Sequence, residues 1–141
     1  MGVGRHGGNM TVENDVCRPR IVVVDDEADF LKLVERWLKP KYDVTCLAGG
    51  AQTSEEIAAL DPDLLIMDIH MPERGGFQIC KQLRGQAGFE DLPVIFLTGS
   101  TSDRDFVQYL DFGGSRYLTK PITGKELREA VSEQLGLSMV G

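Results

Sequence analysis

The sequence predicts an alternating α/β domain: one mostly parallel sheet with helices packed on both faces. Three observations carry this reading. Five short apolar runs rich in branched residues alternate with five longer stretches of helical periodicity. Several of the runs are continuously apolar, as strands buried on both faces are. The chain has 141 residues, enough for one domain and little more. On folding, such a chain buries roughly two thirds of its surface, so neither disulfides nor a structural metal are needed to hold a core.

Each element has its own warrant. Residues 1–18 are Gly-rich and polar with no periodicity and read as a flexible tail. The runs are IVVVDD (21–26), YDVTCL (42–47), DLLIMD (63–68), PVIFLT (93–98) and SRYLTK (115–120). Between the first two, 27–39 sets Phe30, Leu31, Val34 and Leu38 on one helical stripe and stops at Pro40, which cannot continue a helix. A shorter helix over about 53–60 ends before Asp61-Pro62. The third, 76–84, carries Phe77, Cys80 and Leu83, and the fourth, 102–112, carries Phe106, Val107 and Leu110 and meets Gly113 at its C-terminus. The last, 124–135, carries Leu127, Ala130, Val131 and Leu135. Trp37 reads as helix packing. The order is βα five times, a doubly wound parallel sheet.

Charge and cysteine content narrow the class. Lys plus Arg number 15 against 22 Asp plus Glu, a net charge of -7, which does not favour nucleic acid. Arg5, Arg18 and Arg20 against Glu13 and Asp15 give the first twenty residues +1, so -8 lies in the remainder. Cys17, Cys46 and Cys80 are odd in number and far apart, which fits reduced thiols. The N-terminus lacks the apolar run of a secretory signal, and no stretch approaches a membrane span. The expectation is a cytoplasmic protein that does not engage a membrane.

In open α/β sheets, ligands bind beyond the carboxyl ends of the strands. The first run ends in Asp25-Asp26 with Glu27 next, the third in Asp68, the fourth in Thr98-Gly99 and the fifth in Lys120-Pro121. Carboxylates gathered there repel by roughly 4 kcal/mol per pair at 4 Å and an effective dielectric near 20, so a positive partner is required. Oxygen ligands with one lysine nearby suit a hard cation such as Mg²⁺ or Mn²⁺, which can also bridge to a phosphoryl group. Thr98, the backbone N–H of Gly99 and Lys120 are then candidates to bind phosphoryl oxygens, and Asp68 is a carboxylate able to be phosphorylated. A helix-dipole role for acids in a first turn accounts for Glu27 but not for two aspartates at a buried strand end.

VVVDDE, LLIMDIHMPERGG, VIFLTG and YLTKP, in that order and spacing, resemble the receiver domain of two-component response regulators, the chemotaxis-regulator type included. The likeness runs from about Arg20 to Leu137, and the domain is expected over 19–137, with short tails at 1–18 and 138–141. It implies a flavodoxin-like sheet in the order 2-1-3-4-5 and phosphorelay signalling. By the same resemblance, Asp68 is the phosphoacceptor, and Asp25, Asp26, Asp68 and the backbone carbonyl of His70 are the metal ligands. Thr98 and Lys120 contact the phosphoryl group, Thr98 and Tyr117 form the switch, and Lys120-Pro121 is a cis peptide. Implied partners are a sensor histidine kinase or phosphotransfer protein and, downstream, a protein target or an effector domain. The face made by the fourth helix, fifth strand and fifth helix is the expected switching surface, and a dimer through it is left open.

Departures from the family pattern lie at Gly75-Gly76, where Asp-Gly is usual and a looser loop is expected, and at Phe112 and Ser115-Arg116 on the switching face. His70 and Ser100 are expected to edge the site and govern access of water to an acyl phosphate. Two other motifs lack their context. Gly2-Val3-Gly4-Arg5-His6-Gly7 follows no strand, and Asp111-Phe112-Gly113 stands without the rest of a kinase. A phosphatase of the haloacid-dehalogenase type is the rival reading, but its second Asp is His70 here. A receiver used purely as an interaction module is a third. The reading is of a switch and not an enzyme. With SMVG ending the sequence soon after the last helix, the expectation is a free-standing regulator or a receiver separated from a larger protein.

Overall fold

The computed structural model describes residues 18–71, 75–99, 109 and 116–136. Five strands form one sheet: β1 (Arg20–Val24), β2 (Asp43–Leu47), β3 (Leu64–Asp68), β4 (Val94–Thr98) and β5 (Arg116–Thr119). Their order is β2-β1-β3-β4-β5 and every pairing is parallel, with Val24 beside both Leu47 and Met67, and Asp68 beside Leu97. The predicted topology is therefore the observed one. β1 and β3 adjoin although β2 lies between them in sequence, and this reversal of direction opens a crevice at their carboxyl ends.

Four helices accompany the strands among the described residues: α1 (Ala28–Leu38), α2 (Thr53–Leu60), α3 (Gly76–Arg84) and α4 (Gly124–Gln134). The fourth predicted helix, 102–112, lies outside the described residues except for Tyr109, as do Ser100, Phe112, Ser115, residues 1–17 and residues 137–141. Side chains alternate across the strands and divide the core into two layers. Ile21, Val23, Leu64, Ile66, Ile95 and Leu97 face Val34 and Leu38 of α1 and Leu127, Ala130 and Val131 of α4. Val22, Val24, Leu65, Met67, Val94 and Phe96 face Ile57 of α2 and Ile79, Cys80 and Leu83 of α3. β3 and β4 are buried along their whole length, which is why their sequences show no polar alternation. Each fully buried Leu, Ile or Phe here contributes about 1.5–3 kcal/mol of transfer free energy.

The helix ends explain several local residues. α1 starts one residue later than the periodicity suggests, because Glu27 is its extended N-cap. α2 stops as Asp61 turns left-handed at φ 50°, ahead of Pro62. α4 opens with a capping box in which Thr123 Oγ1 accepts from Glu126 N–H and Glu126 accepts from Thr123 N–H, so the T-x-x-E spacing marks its start.

The looseness expected at Gly75-Gly76 is not what these two glycines provide. Gly75 is an ordinary extended N-cap, and Gly76 N–H bonds to Ile69 O at 2.9 Å. A Cβ on Gly76 would stand 2.3 Å from the Asp68 carbonyl oxygen and 2.7 Å from Met67 Cγ. Position 76 is glycine because α3 approaches the end of β3 closely, and the loop residues 72–74 lie outside the described residues.

Candidate functional site

The carboxyl ends of β1, β3, β4 and β5 bring the predicted polar residues together. Carboxylate oxygens of Asp25, Asp26 and Asp68 lie within 4.8 Å of one another. Asp25 is wholly buried, Asp68 is 5% exposed and Asp26 is open to solvent. Beside them, Asp26, Glu27, Asp68, His70, Gly99 and Lys120 line an open cleft of about 440 Å³. Asp68 is the last residue of β3, and the other five follow the ends of β1, β3, β4 and β5.

Two backbone contacts hold the aspartates. Asp25 Oδ1 accepts from Glu27 N–H at 2.9 Å, and Asp68 Oδ1 accepts from His70 N–H at 3.3 Å. Lys120 Nζ donates to Asp25 Oδ2 at 2.8 Å and to Glu27 Oε1 at 3.0 Å, and its own N–H bonds to Thr98 O at 2.7 Å. Thr98 is fully buried. The Lys120-Pro121 peptide is cis, as the resemblance implies.

The electrostatics are unbalanced. Burial, then the charge of Asp25, pushes the Asp68 carboxyl from its ordinary 3.8 to about 6; Lys120 and the His70 N–H oppose the rise, and Asp26 adds to it. Burial disfavours the Lys120 ammonium, but hydrogen bonds to Asp25 and Glu27 and the charges of Asp25 and Asp68 outweigh it, so its pKa is raised. Asp25, Glu27 and Asp68 thus act on one ammonium, and Asp26 adds a further acid to the cluster. The donor set is all oxygen and its acids are close-set, which fits a hard divalent cation and not a soft one.

The sequence and the fold match a known family. A sequence model of the response regulator receiver domain matches residues 21–132. The chain belongs to that family. This receiver domain is 35% identical over 117 residues to Protein RcaC of Microchaete diplosiphon, a match covering 82% of the chain and 18% of that protein. The chain thus spans less than a fifth of that relative's length. It is also similar to the receiver domain of the sensor histidine kinase PA1611 of Pseudomonas aeruginosa PAO1 (27% identity, TM-score 0.77, 84% of this chain and 98% of that one). That crystal structure has a magnesium ion coordinated in the active-site cleft. Vibrio cholerae chemotaxis protein CheY4 shares the fold at 24% identity and TM-score 0.78, over 83% of this chain and 98% of that one.

Not every predicted site residue meets the cleft. Asp25, Asp26, Asp68, His70, Gly99 and Lys120 converge, whereas Thr98 is packed beneath and Tyr117 lies in the layer of Phe96. Tyr117 stands beside Phe96 in register and its ring centroid is 5.0 Å from that of Tyr109; Phe96 in turn is 4.7 Å from Phe77. Arg116, a departure from the family pattern, pairs with Glu133 of α4 at 2.7 Å on the surface. Two residues of the receiver domain went unread in the sequence: Glu27 as a partner of Lys120, and Phe30, whose ring faces the same ammonium. No helix among the described residues is long and apolar enough to cross a membrane.

Proposed function

We propose that the chain, taken as a receiver domain over 19–137, is a phosphorelay switch with Asp68 as its phosphoacceptor. The observation that carries this reading is the convergence of Asp25, Asp26, Asp68 and Lys120 on one cleft. An Asp68 oxygen attacks the phosphorus of a phosphohistidine on a sensor kinase or phosphotransfer protein. The O–P bond of an acyl phosphate forms as the P–N bond breaks, and the departing imidazole keeps the electron pair and takes up a proton from solvent. Lys120 offsets negative charge on the transferred oxygens, the N–H of Gly99 donates to them, and the hydroxyl of Thr98, buried beneath the cleft, reaches them only as the switch turns. Asp25, Asp26, Asp68 and the His70 carbonyl would hold Mg²⁺ or Mn²⁺, whose chemistry there is to neutralise acids and phosphoryl oxygens.

Phosphorylation then shifts an existing equilibrium of the face around Thr98 and Tyr117, through which a protein target or a linked effector domain is engaged. The setting is the cytoplasm, and the chain acts as a switch and not as an enzyme of turnover. Intact mass after treatment with Mg²⁺ and acetyl phosphate gains about 80 Da in the wild type and nothing in Asp68→Asn. An adduct that persists in the variant overturns the assignment, and sustained hydrolysis of small phosphate esters would restore the phosphatase rival.

A further inference from the structure

Lys120 is held by more than its carboxylates. Its Nζ lies 4.2 Å from the centroid of the Phe30 ring, and its side chain is only 16% exposed. An ammonium over an aromatic face is attracted by the ring quadrupole, the more so as water is removed. A ring that merely filled space would meet the lysine methylenes; here the charged nitrogen itself sits over the face. Phe30 is fixed from behind. Trp37, two turns further along α1, meets it edge-on with centroids 6.4 Å apart and planes at 86°. Trp37 in turn rests on Gly124, where a Cβ would come within 2.9 Å of indole Cδ1.

We infer that Phe30 is a positioning residue for Lys120, an inference that rests on Asp68 being the phosphoacceptor. Asp25 and Glu27 draw the ammonium by charge, and charge is what a phosphoryl group must compete with. The ring attracts without neutralising. Lys120 can therefore exchange Glu27 for a phosphoryl oxygen while staying over Phe30, with its full charge and a defined direction.

The test uses the full chain, acetyl phosphate and Mg²⁺, with the rate of the mass gain as readout. Site-specific 3,4,5-trifluorophenylalanine at position 30 keeps shape and burial but weakens the quadrupole. It slows phosphorylation about two- to tenfold at an unchanged melting temperature, and Phe30→Leu slows it at least as much. Phe30→Trp, which offers a stronger face, stays within about twofold of wild type. If the fluorinated protein matches a wild type that does gain the phosphoryl mass, the inference falls and the phosphoacceptor reading stands. No mass gain in the wild type overturns both. Should Phe30→Leu fail to fold, the fluorinated protein decides.

Discussion

The two ends of the sheet carry the same kinds of residue and use them in opposite ways. At the amino end, Arg20 is matched to its acids: its N–H bonds to Asp63 Oδ2 at 2.8 Å, Nη1 donates to Leu60 O at 2.8 Å, and Nε stands 3.8 Å from Asp43. At the carboxyl end, Asp25, Glu27 and Asp68 share Lys120 with Asp26 beside them, and Asp68 is driven toward protonation. One cluster ties β1 to its neighbours and is finished. The other is short of positive charge, and that deficit is what a cation and a phosphoryl site can use. Imbalance of charge, more than its presence, separates a site from a clasp.

The comparison can be broken from either end. Lys120→Ala should have the largest effect, slowing phosphorylation from acetyl phosphate by about 10²- to 10³-fold, the loss typical of one preorganised donor; a rate within tenfold of wild type would contradict its role. Asp68→Asn, in metal-free buffer, should stabilise the fold by about 1–3 kcal/mol at pH 7 in urea unfolding. The sign follows from a folded pKa of about 6 against an ordinary 3.8. Below about pH 4 the group is protonated in both states and imposes no penalty; as pH rises through about 6 the folded protein loses that stability relative to the variant. An equal pH dependence in the two proteins would refute the desolvated site. Divalent cation should act in the opposite direction to the charge deficit: Mg²⁺ at ten times its dissociation constant adds about 1.4 kcal/mol to wild type, and Asp26→Asn largely removes the gain in the same titration. The smallest effect belongs to the amino end. Arg20→Met should cost about 1 kcal/mol and leave the phosphorylation rate unchanged, as paired unfolding and mass-gain measurements would check.

The strand ends were readable because burial leaves so few reasons for a polar residue there. IVVV followed by Asp25-Asp26, and LLIM by Asp68, announce acids that the core does not need, and the βα alternation puts them at one edge. The sheet order followed from the same motifs through the family they resemble. What escaped notice depends on directions that no local pattern encodes. Glu27 looked like a first-turn acid, yet as the N-cap of α1 it turns to a lysine 93 residues away. Phe30 belonged to an apolar stripe, and its ring meets Nζ because Lys120 reaches from the end of β5 to Asp25 and Glu27 at the start of α1. Gly75-Gly76 suggested slackness, since sequence shows that a side chain is missing but not the Asp68 carbonyl that excludes it.

The row from Gly124 through Trp37 to Phe30 also has an optical meaning. Trp37 is the sole tryptophan of the 141 residues, so all indole emission of this chain originates at the seam between α1 and the start of α4, one ring removed from the ammonium of Lys120. The protein carries its own fluorophore one ring away from Lys120, and its light reports on that row without a label.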